Sequence, residues 1–243
     1  MEFAESTQPT AQDIQSLFNR IAPVYDDLNH RLSFGLHRVW KRMAVGWSGA
    51  KAGDTVLDVC CGSGDLALLL ARQVGATGKV YGVDFSAEQL AVAAERTSQA
   101  YLPTAIHWML GDALALPFED QTFGAATMGY GLRNLTDIAQ GLRELHRVLQ
   151  PGAQAAILDF HRPQGRLAEG FQRWYLETIV VPTARDMGLT AEYAYIGPSV
   201  DRFPTGPEQV ALAKQAGFGS AVHYPLLGGL MGVLVVRRGD DVV

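Results

Sequence analysis

Apolar positions in this 243-residue chain change their period along its length. Ile14, Leu17, Phe18 and Ile21 recur at the three- and four-residue spacing of a helix face, and Leu36, Val39, Trp40, Met43 and Trp47 repeat that spacing further on. Pro23-Val24-Tyr25-Asp26-Asp27 lies between them and reads as a turn or hinge. The pattern then shifts to short apolar runs separated by amphipathic stretches. Strands are predicted over 55–60, 79–84, 106–109, 123–128 and 155–160. Helices are predicted over 65–74, over 86–99 with Ser86 as N-cap, and over 136–149, the last one stopped by Pro151-Gly152. Such alternation predicts an α/β fold with a mostly parallel sheet and helices on both faces. The tail differs: 221–224 and 231–236 flank Leu226-Leu227-Gly228-Gly229 and are expected to pair antiparallel at the sheet edge. One domain is expected over 1–243, with a helical cap over 1–50 and the α/β core over 51–243.

Composition narrows the class. Hydrophobic residues make up 48% and charged residues 19%, the balance of a soluble globular protein. A net charge of −5 without any Lys/Arg run argues against a nucleic-acid partner. The two cysteines, Cys60 and Cys61, are adjacent, which offers neither a disulfide framework nor a spaced metal-ligand pair; no metal site is expected. His30 and His37 also lack ligand-like spacing to an acidic partner. The N-terminus carries no signal-peptide or transit-peptide pattern, and the most apolar stretch, 226–236, is far shorter than the ~20 residues of a spanning helix. A cytoplasmic protein that touches a membrane from one side at most is the expectation.

The first strand-helix junction carries the candidate binding chemistry. Leu57-Asp58-Val59-Cys60-Cys61-Gly62-Ser63-Gly64 joins an acidic residue to a tight Gly-x-Gly turn, whose glycines admit a close ligand. Asp84 ends the next strand, where a carboxylate accepts the hydroxyls of a ribose. A dinucleotide site shares those two features, but its third glycine is replaced here by Ala67. Asp58 lies inside the strand, where it can face the amine of a methionine moiety and would repel a pyrophosphate. After the third strand, Gly111-Asp112-Ala113 offers a carboxylate and a neighbouring N–H to an adenine edge. Each acid taken alone also reads as a helix or turn cap; three in order at successive strand ends favour a ligand.

Asn19-Arg20-Ile21-Ala22-Pro23-x-Tyr25-Asp26-x-Leu28-Asn29, Gly131-Leu132-Arg133-Asn134, and Arg147-Val148-Leu149-x-Pro151-Gly152 followed by Leu158-Asp159-Phe160 resemble the quinone C-methyltransferases of ubiquinone and menaquinone synthesis. Cys60-Cys61-Gly62-Ser63-Gly64-Asp65-Leu66 and Met128-Gly129-Tyr130-Gly131 are most similar to the cyanobacterial and plastid branch, which acts on a phytylated naphthoquinone. The resemblance implies a class I, Rossmann-like fold with seven strands, the last antiparallel, and S-adenosylmethionine as methyl donor. It carries the family's cofactor positions onto Ser63, Asp84, Asp112 and Ala113. A further position, often serine in the family, is Gly129 here, so its side-chain hydrogen bond is missing.

The implied chemistry asks for an electron-rich acceptor, because the methyl of a sulfonium is an electrophile. A quinone ring becomes nucleophilic only as the hydroquinone, and nothing in the chain suggests that it reduces a quinone, so a separate quinone reductase is expected upstream. The loop after the fourth strand is the expected acceptor site. There Arg133 stabilises a phenolate or forms a salt bridge, and Asn134 orients a hydroxyl or caps a helix. Tyr25 closes over the acceptor from the hinge. His161 reads as a base or as a solvated strand-end residue. Other readings remain open: a demethylmenaquinone or ubiquinone-precursor methyltransferase, a methyltransferase acting on oxygen or nitrogen, and a non-catalytic S-adenosylmethionine-binding subunit. The Asn/Asp-Pro-Pro-aromatic loop of base N-methyltransferases is absent after the fourth strand, which weakens a nucleic-acid version.

Overall fold

The protein is described by a computed structural model over residues 10–22, 30, 33, 35–162, 165–180, 182 and 196–240. Helix α1 (Ala11–Ile21) starts on a capping box in which Thr10 N donates to Asp13 at 2.9 Å and Asp13 N donates to the Thr10 hydroxyl at 3.2 Å. Helix α2 (His37–Trp47) precedes β1 (Thr55–Val59), α3 (Asp65–Val74), β2 (Lys79–Asp84), α4 (Ala87–Gln99) and β3 (Ile106–Leu110). Then come β4 (Phe123–Gly129), a 3-10 turn (Leu132–Asn134), α5 (Ile138–Val148) and β5 (Leu149–Phe160). Helices α6 (Arg166–Tyr175), α7 (Ile196–Arg202) and α8 (Gly206–Gln215) lead to β6 (Phe218–Leu226) and β7 (Met231–Arg238).

The seven strands form one sheet in the order β3-β2-β1-β4-β5-β7-β6. The first five are parallel; β7 runs antiparallel between β5 and β6. The tail hairpin is therefore antiparallel as expected, but β7 is an inner strand and only β6 lies at the edge. This follows from the apolar character of β7, whose Val233, Leu234 and Val236 are all buried.

Alternate residues of each strand serve opposite cores. Leu57, Ala155 and Ile157 face α5 and α8, whereas Val56, Ala156 and Leu158 face α2 and α3. Phe123 anchors the first core: it is fully buried, edge-on to Phe118 at 4.8 Å and to Tyr81 at 5.7 Å.

Three details differ from the sequence reading. Pro151-Gly152 does not lie between helix and strand but inside β5, where residues 150–153 bulge from the ladder between the pairs Phe123↔Leu149 and Ala125↔Gln154. Proline cannot donate to the ladder, so the strand tolerates it only there. The buried face of α2 is rotated as well. His37, Lys41, Ala44 and Val45 point inward, while Leu36 and Val39 are 38% and 47% exposed. Small Ala44 and Val45 let the helix approach the sheet, a preference of packing that an apolar count does not register. Finally, α6, α7 and α8 lie outside the elements read from apolar periodicity, although α8 carries a Thr205-Glu208 capping box with a proline in its first turn.

Replacement of Phe123 by alanine removes a fully buried ring from the first core. It should lower unfolding stability by about 3–5 kcal/mol, measured by urea denaturation.

Candidate active site

A cleft opens at the carboxyl ends of β3, β2, β1 and β4, covered by α1 through Ala11, Ile14 and Phe18. The cover is fastened to the rim: Gln15 donates to the Phe85 carbonyl at 2.5 Å, and Gln89 donates to that of Phe18 at 3.3 Å. Asp58, Gly62, Ser63, Asp84, Asp112, Ala113 and Gly129, all anticipated, line the cleft. Gly64 stands beside it as N-cap of α3 with φ +86°, and a Cβ there would sit 2.6 Å from the Trp108 ring. That backbone geometry and that contact both require glycine.

Asp84 is 6% exposed and accepts hydrogen bonds from Gly62 N at 2.8 Å and Ser86 N at 2.9 Å. Each carboxylate oxygen has a second lone pair for a ligand hydroxyl. Burial raises its pKa, against the hydrogen bonds from Ser86 and Gly62. Asp112 accepts from Leu114 N at 2.9 Å, which holds the turn after β3. Asp58 is fully buried; Ala67 N donates to it at 3.0 Å and the Thr127 hydroxyl at 2.8 Å. Burial pushes its pKa up to about 7, partly offset by Thr127 and Ala67.

Two further side chains, which the sequence reading did not single out, shape the cleft: Lys41 lines it, and Arg96 braces the lining residues Ser63 and Asp65. Lys41 from α2 is 5% exposed, donates to Asp65 at 2.6 Å, and lies 5.7 Å from the Tyr130 ring centroid. Arg96 reaches the other Asp65 oxygen at 2.5 Å and the Ser63 carbonyl at 2.8 Å. Burial would raise the Asp65 carboxyl, but Lys41 and Arg96 outweigh it and hold it well below the usual range. The lysine stood in an apolar helix pattern, where its stem reads as an ordinary amphipathic residue.

At the end of β4, Gly129 takes the place of the family's frequent serine, and a Cβ there would lie 2.8 Å from Leu66 Cδ1. Tyr130 follows with φ +60°, its N–H donating to the Leu158 carbonyl at 2.7 Å. Its own carbonyl accepts from Arg133 and from the Asn134 amide, both at 2.9 Å. Arg133 also pairs with Asp159 at 2.5 Å, both side chains buried, and stacks 5.0 Å from the Phe160 ring. The salt-bridge arrangement of Arg133 is thus present. Asn134 Oδ1 is buried and has no hydrogen-bond partner. Asn134 lines both the cleft and a neighbouring cavity that Arg133 and Arg202 border. Tyr25 lies outside the described residues.

Cys60 and Cys61 line the cleft, whereas His161 does not. His161 lines neither cavity; its ring lies 4.8 Å from that of His223, and burial lowers both pKa values, that of His223 to about 4. Burial raises the thiols of Cys60 and Cys61 well above their ordinary value, which leaves them protonated and poorly nucleophilic. Among the described residues no group of three or more histidine, cysteine and acidic side chains has metal-binding geometry.

The raised Asp58 pKa has a stability consequence. The folded state holds the Asp58 proton more tightly than the unfolded chain, so its contribution is full below about pH 4 and is lost as pH rises through about 7. The buried histidines His37 and His223 slope the other way, so the effect is read as a difference: the urea midpoint of wild type minus that of Asp58→Asn should shrink as pH rises from about 4 to about 7.

This geometry has counterparts among known proteins. The backbone is similar to SAM-dependent methyltransferases from Aquifex aeolicus (TM-score 0.59, 22% identity, 81% of this chain and 88% of the other) and Thermotoga maritima (TM-score 0.66, 18% identity, 93% and 99%). It is also similar to the [4+2]-cyclase SpnF (TM-score 0.61, 19% identity, 97% and 98%), so the fold alone does not specify the reaction. Sequence relatives go further. Proteins named 2-phytyl-1,4-naphthoquinone methyltransferase are 62% identical in Nostoc punctiforme (93% of this chain, 98% of the relative) and 60% identical in Synechocystis (96% and 98%). The chloroplastic protein of that activity in Arabidopsis thaliana is 54% identical (91% and 86%). The family profile matches residues 6–238, nearly the whole chain including the cleft and both ends of the sheet, and the chain belongs to the ubiE/COQ5 methyltransferase family.

Proposed function

We propose that this chain methylates a ring carbon of reduced 2-phytyl-1,4-naphthoquinone, with S-adenosylmethionine as donor, in phylloquinone synthesis. The observation that carries this reading is the 54–62% identity to proteins of that name over at least 91% of the chain. The cleft residues suit the donor: Asp84 for the ribose, the turn at Asp112 and Ala113 for the adenine edge, and Gly62, Ser63 and Gly64 for close backbone approach. The Asp58 carboxyl, its pKa raised to about 7 by burial, suits the ammonium end, whose positive charge favours its ionised form. When bound, S-adenosylmethionine supplies an electrophilic methyl group.

The residues of the chain then have to hold a nucleophile in line with that methyl. Asn134 is suited to this. Its amide is fixed by the Tyr130 carbonyl, so its partnerless Oδ1 is an acceptor for an acceptor-ring hydroxyl. Arg133, paired with Asp159 and bordering the adjoining cavity next to Asn134, orients its guanidinium dipole where negative charge on the ring oxygen grows toward the transition state. Tyr25 remains the proposed lid residue. The phytyl tail requires an apolar path, and exposed Leu36 and Val39 on α2 together with Val222, Tyr224 and Leu227 near β6 supply apolar surface. Trp47 and Tyr224, 4.9 Å apart, join the two elements. We assign this face to peripheral contact of a cytoplasmic protein with a membrane; no described helix is long and apolar enough to cross one.

The direct test is the redox state of the acceptor. With purified protein, labelled S-adenosylmethionine and 2-phytyl-1,4-naphthoquinone, methyl incorporation should be negligible under air and should appear once the quinone is chemically reduced. Equal methylation of the oxidised quinone would refute the hydroquinone mechanism, and no turnover with either form would refute the assigned acceptor. A separate reductase is the expected source of the quinol.

Arg133→Ala should reduce kcat at least tenfold while changing the Kd for S-adenosylmethionine less than about threefold, measured by steady-state kinetics and calorimetry. Parallel losses in both would assign Arg133 to the shape of the donor site alone.

A further inference from the structure

We propose that Lys41 recognises the carboxylate of the cofactor's amino-acid end. The proposal rests on the reading that S-adenosylmethionine occupies the cleft, and it concerns a helix outside the α/β core.

Strand order fixes which end of the cleft is which. Asp112 follows β3 and Asp84 ends β2, so the adenosine side lies over those two strands. Parallel neighbours are about 4.8 Å apart, so the amino-acid side falls over β1 and β4, one to two strands further across the sheet. Lys41 stands there: its ammonium bonds Asp65, just beyond β1, and faces the ring of Tyr130, just beyond β4.

Charge points the same way. A lysine that is 5% exposed requires anionic partners. Among the described residues its one hydrogen bond is to Asp65, a carboxylate that Arg96 also engages through its other oxygen. Asp65 therefore has a counterion without Lys41, and an ammonium has three donors, of which Asp65 takes one. Asp58 lines the same end and feels the Lys41 charge, so a buried cation and a buried carboxylate stand together. That pair complements a zwitterion: Asp58 for the ammonium, Lys41 for the carboxylate. His37, one turn before Lys41, has a pKa lowered to about 4 by burial and by Lys41, and it adds no competing cation at neutral pH.

The probes are S-adenosylmethionine and decarboxylated S-adenosylmethionine, which keeps the sulfonium, the ammonium and the nucleoside. Calorimetry on the full-length protein should show wild type binding the decarboxylated analogue at least tenfold more weakly. Lys41→Met should weaken S-adenosylmethionine at least tenfold and leave the decarboxylated analogue within about twofold. Equal losses for both ligands would make Lys41 a structural support and overturn the proposal, as would wild-type affinity that ignores the carboxylate. The wild-type comparison stands even where Lys41→Met does not fold. Asp84→Ala serves to separate the two readings. If it weakens both ligands while Lys41→Met fails to discriminate, only the Lys41 role falls; if it weakens neither, the cofactor is not in this cleft and both readings fall.

Discussion

Asp58 is the interaction on which the site depends. It places a carboxylate in the middle of an apolar sheet, between β2 and β4, and joins three elements there. One oxygen accepts from Thr127 on β4, the other from Ala67 in the first turn of α3. Burial of such a group is costly, and its pKa of about 7 records that the two hydrogen bonds only partly offset the loss of water. An apolar residue in its place would leave a buried hydroxyl and a buried N–H without that partner, each costing on the order of 1–3 kcal/mol. The acid thus ties the start of α3, and with it the Gly62-Ser63-Gly64 turn, to the level at which β4 ends.

The ends of β1 and β4 share a second constraint. Cys60 and Tyr130, neither of them glycine, have φ of +53° and +60°. Such conformations cost of the order of 1–3 kcal/mol and persist where surrounding contacts determine them. At Tyr130 those contacts are visible: the Leu158 carbonyl takes its N–H, and Arg133 and Asn134 hold its carbonyl. The buried ion pair with Asp159 in turn fixes Arg133. Arg133 therefore helps to set the shape of the loop, and the orientation of Asn134 is a consequence of the strained turn. This explains how a cleft built largely from backbone and short side chains keeps defined acceptors without a metal-like anchor among the described residues.

Much of this was legible in the sequence because it rests on local rules. Period-two and period-3.6 apolar runs follow from the geometry of strands and helices, and they located β1 to β4, β7 and helices α3 to α5 to within a few residues, but only the second half of β5 and none of α6 to α8. Asp84 and Gly64 were legible because a strand end followed by a helix start has few solutions that admit a ligand. The family was legible from Tyr25, Gly131-Leu132-Arg133-Asn134 and the motifs around Asp159, since strings of that length seldom recur by chance.

What the tertiary structure decided was direction and partnership. Nothing in the order of residues states that α2 turns Lys41 and His37 inward and leaves Leu36 and Val39 outside; that choice comes from how closely Ala44 and Val45 let the helix pack. Nor does it state that Arg133 meets Asp159 across 26 residues, or that Lys41 meets Asp65 across 24. Hydrophobic pattern depends on one element's own period and is written locally, whereas the pairing of buried charges depends on which strand ends and helices become neighbours, and that is set by the sheet order and by how the helices pack on it.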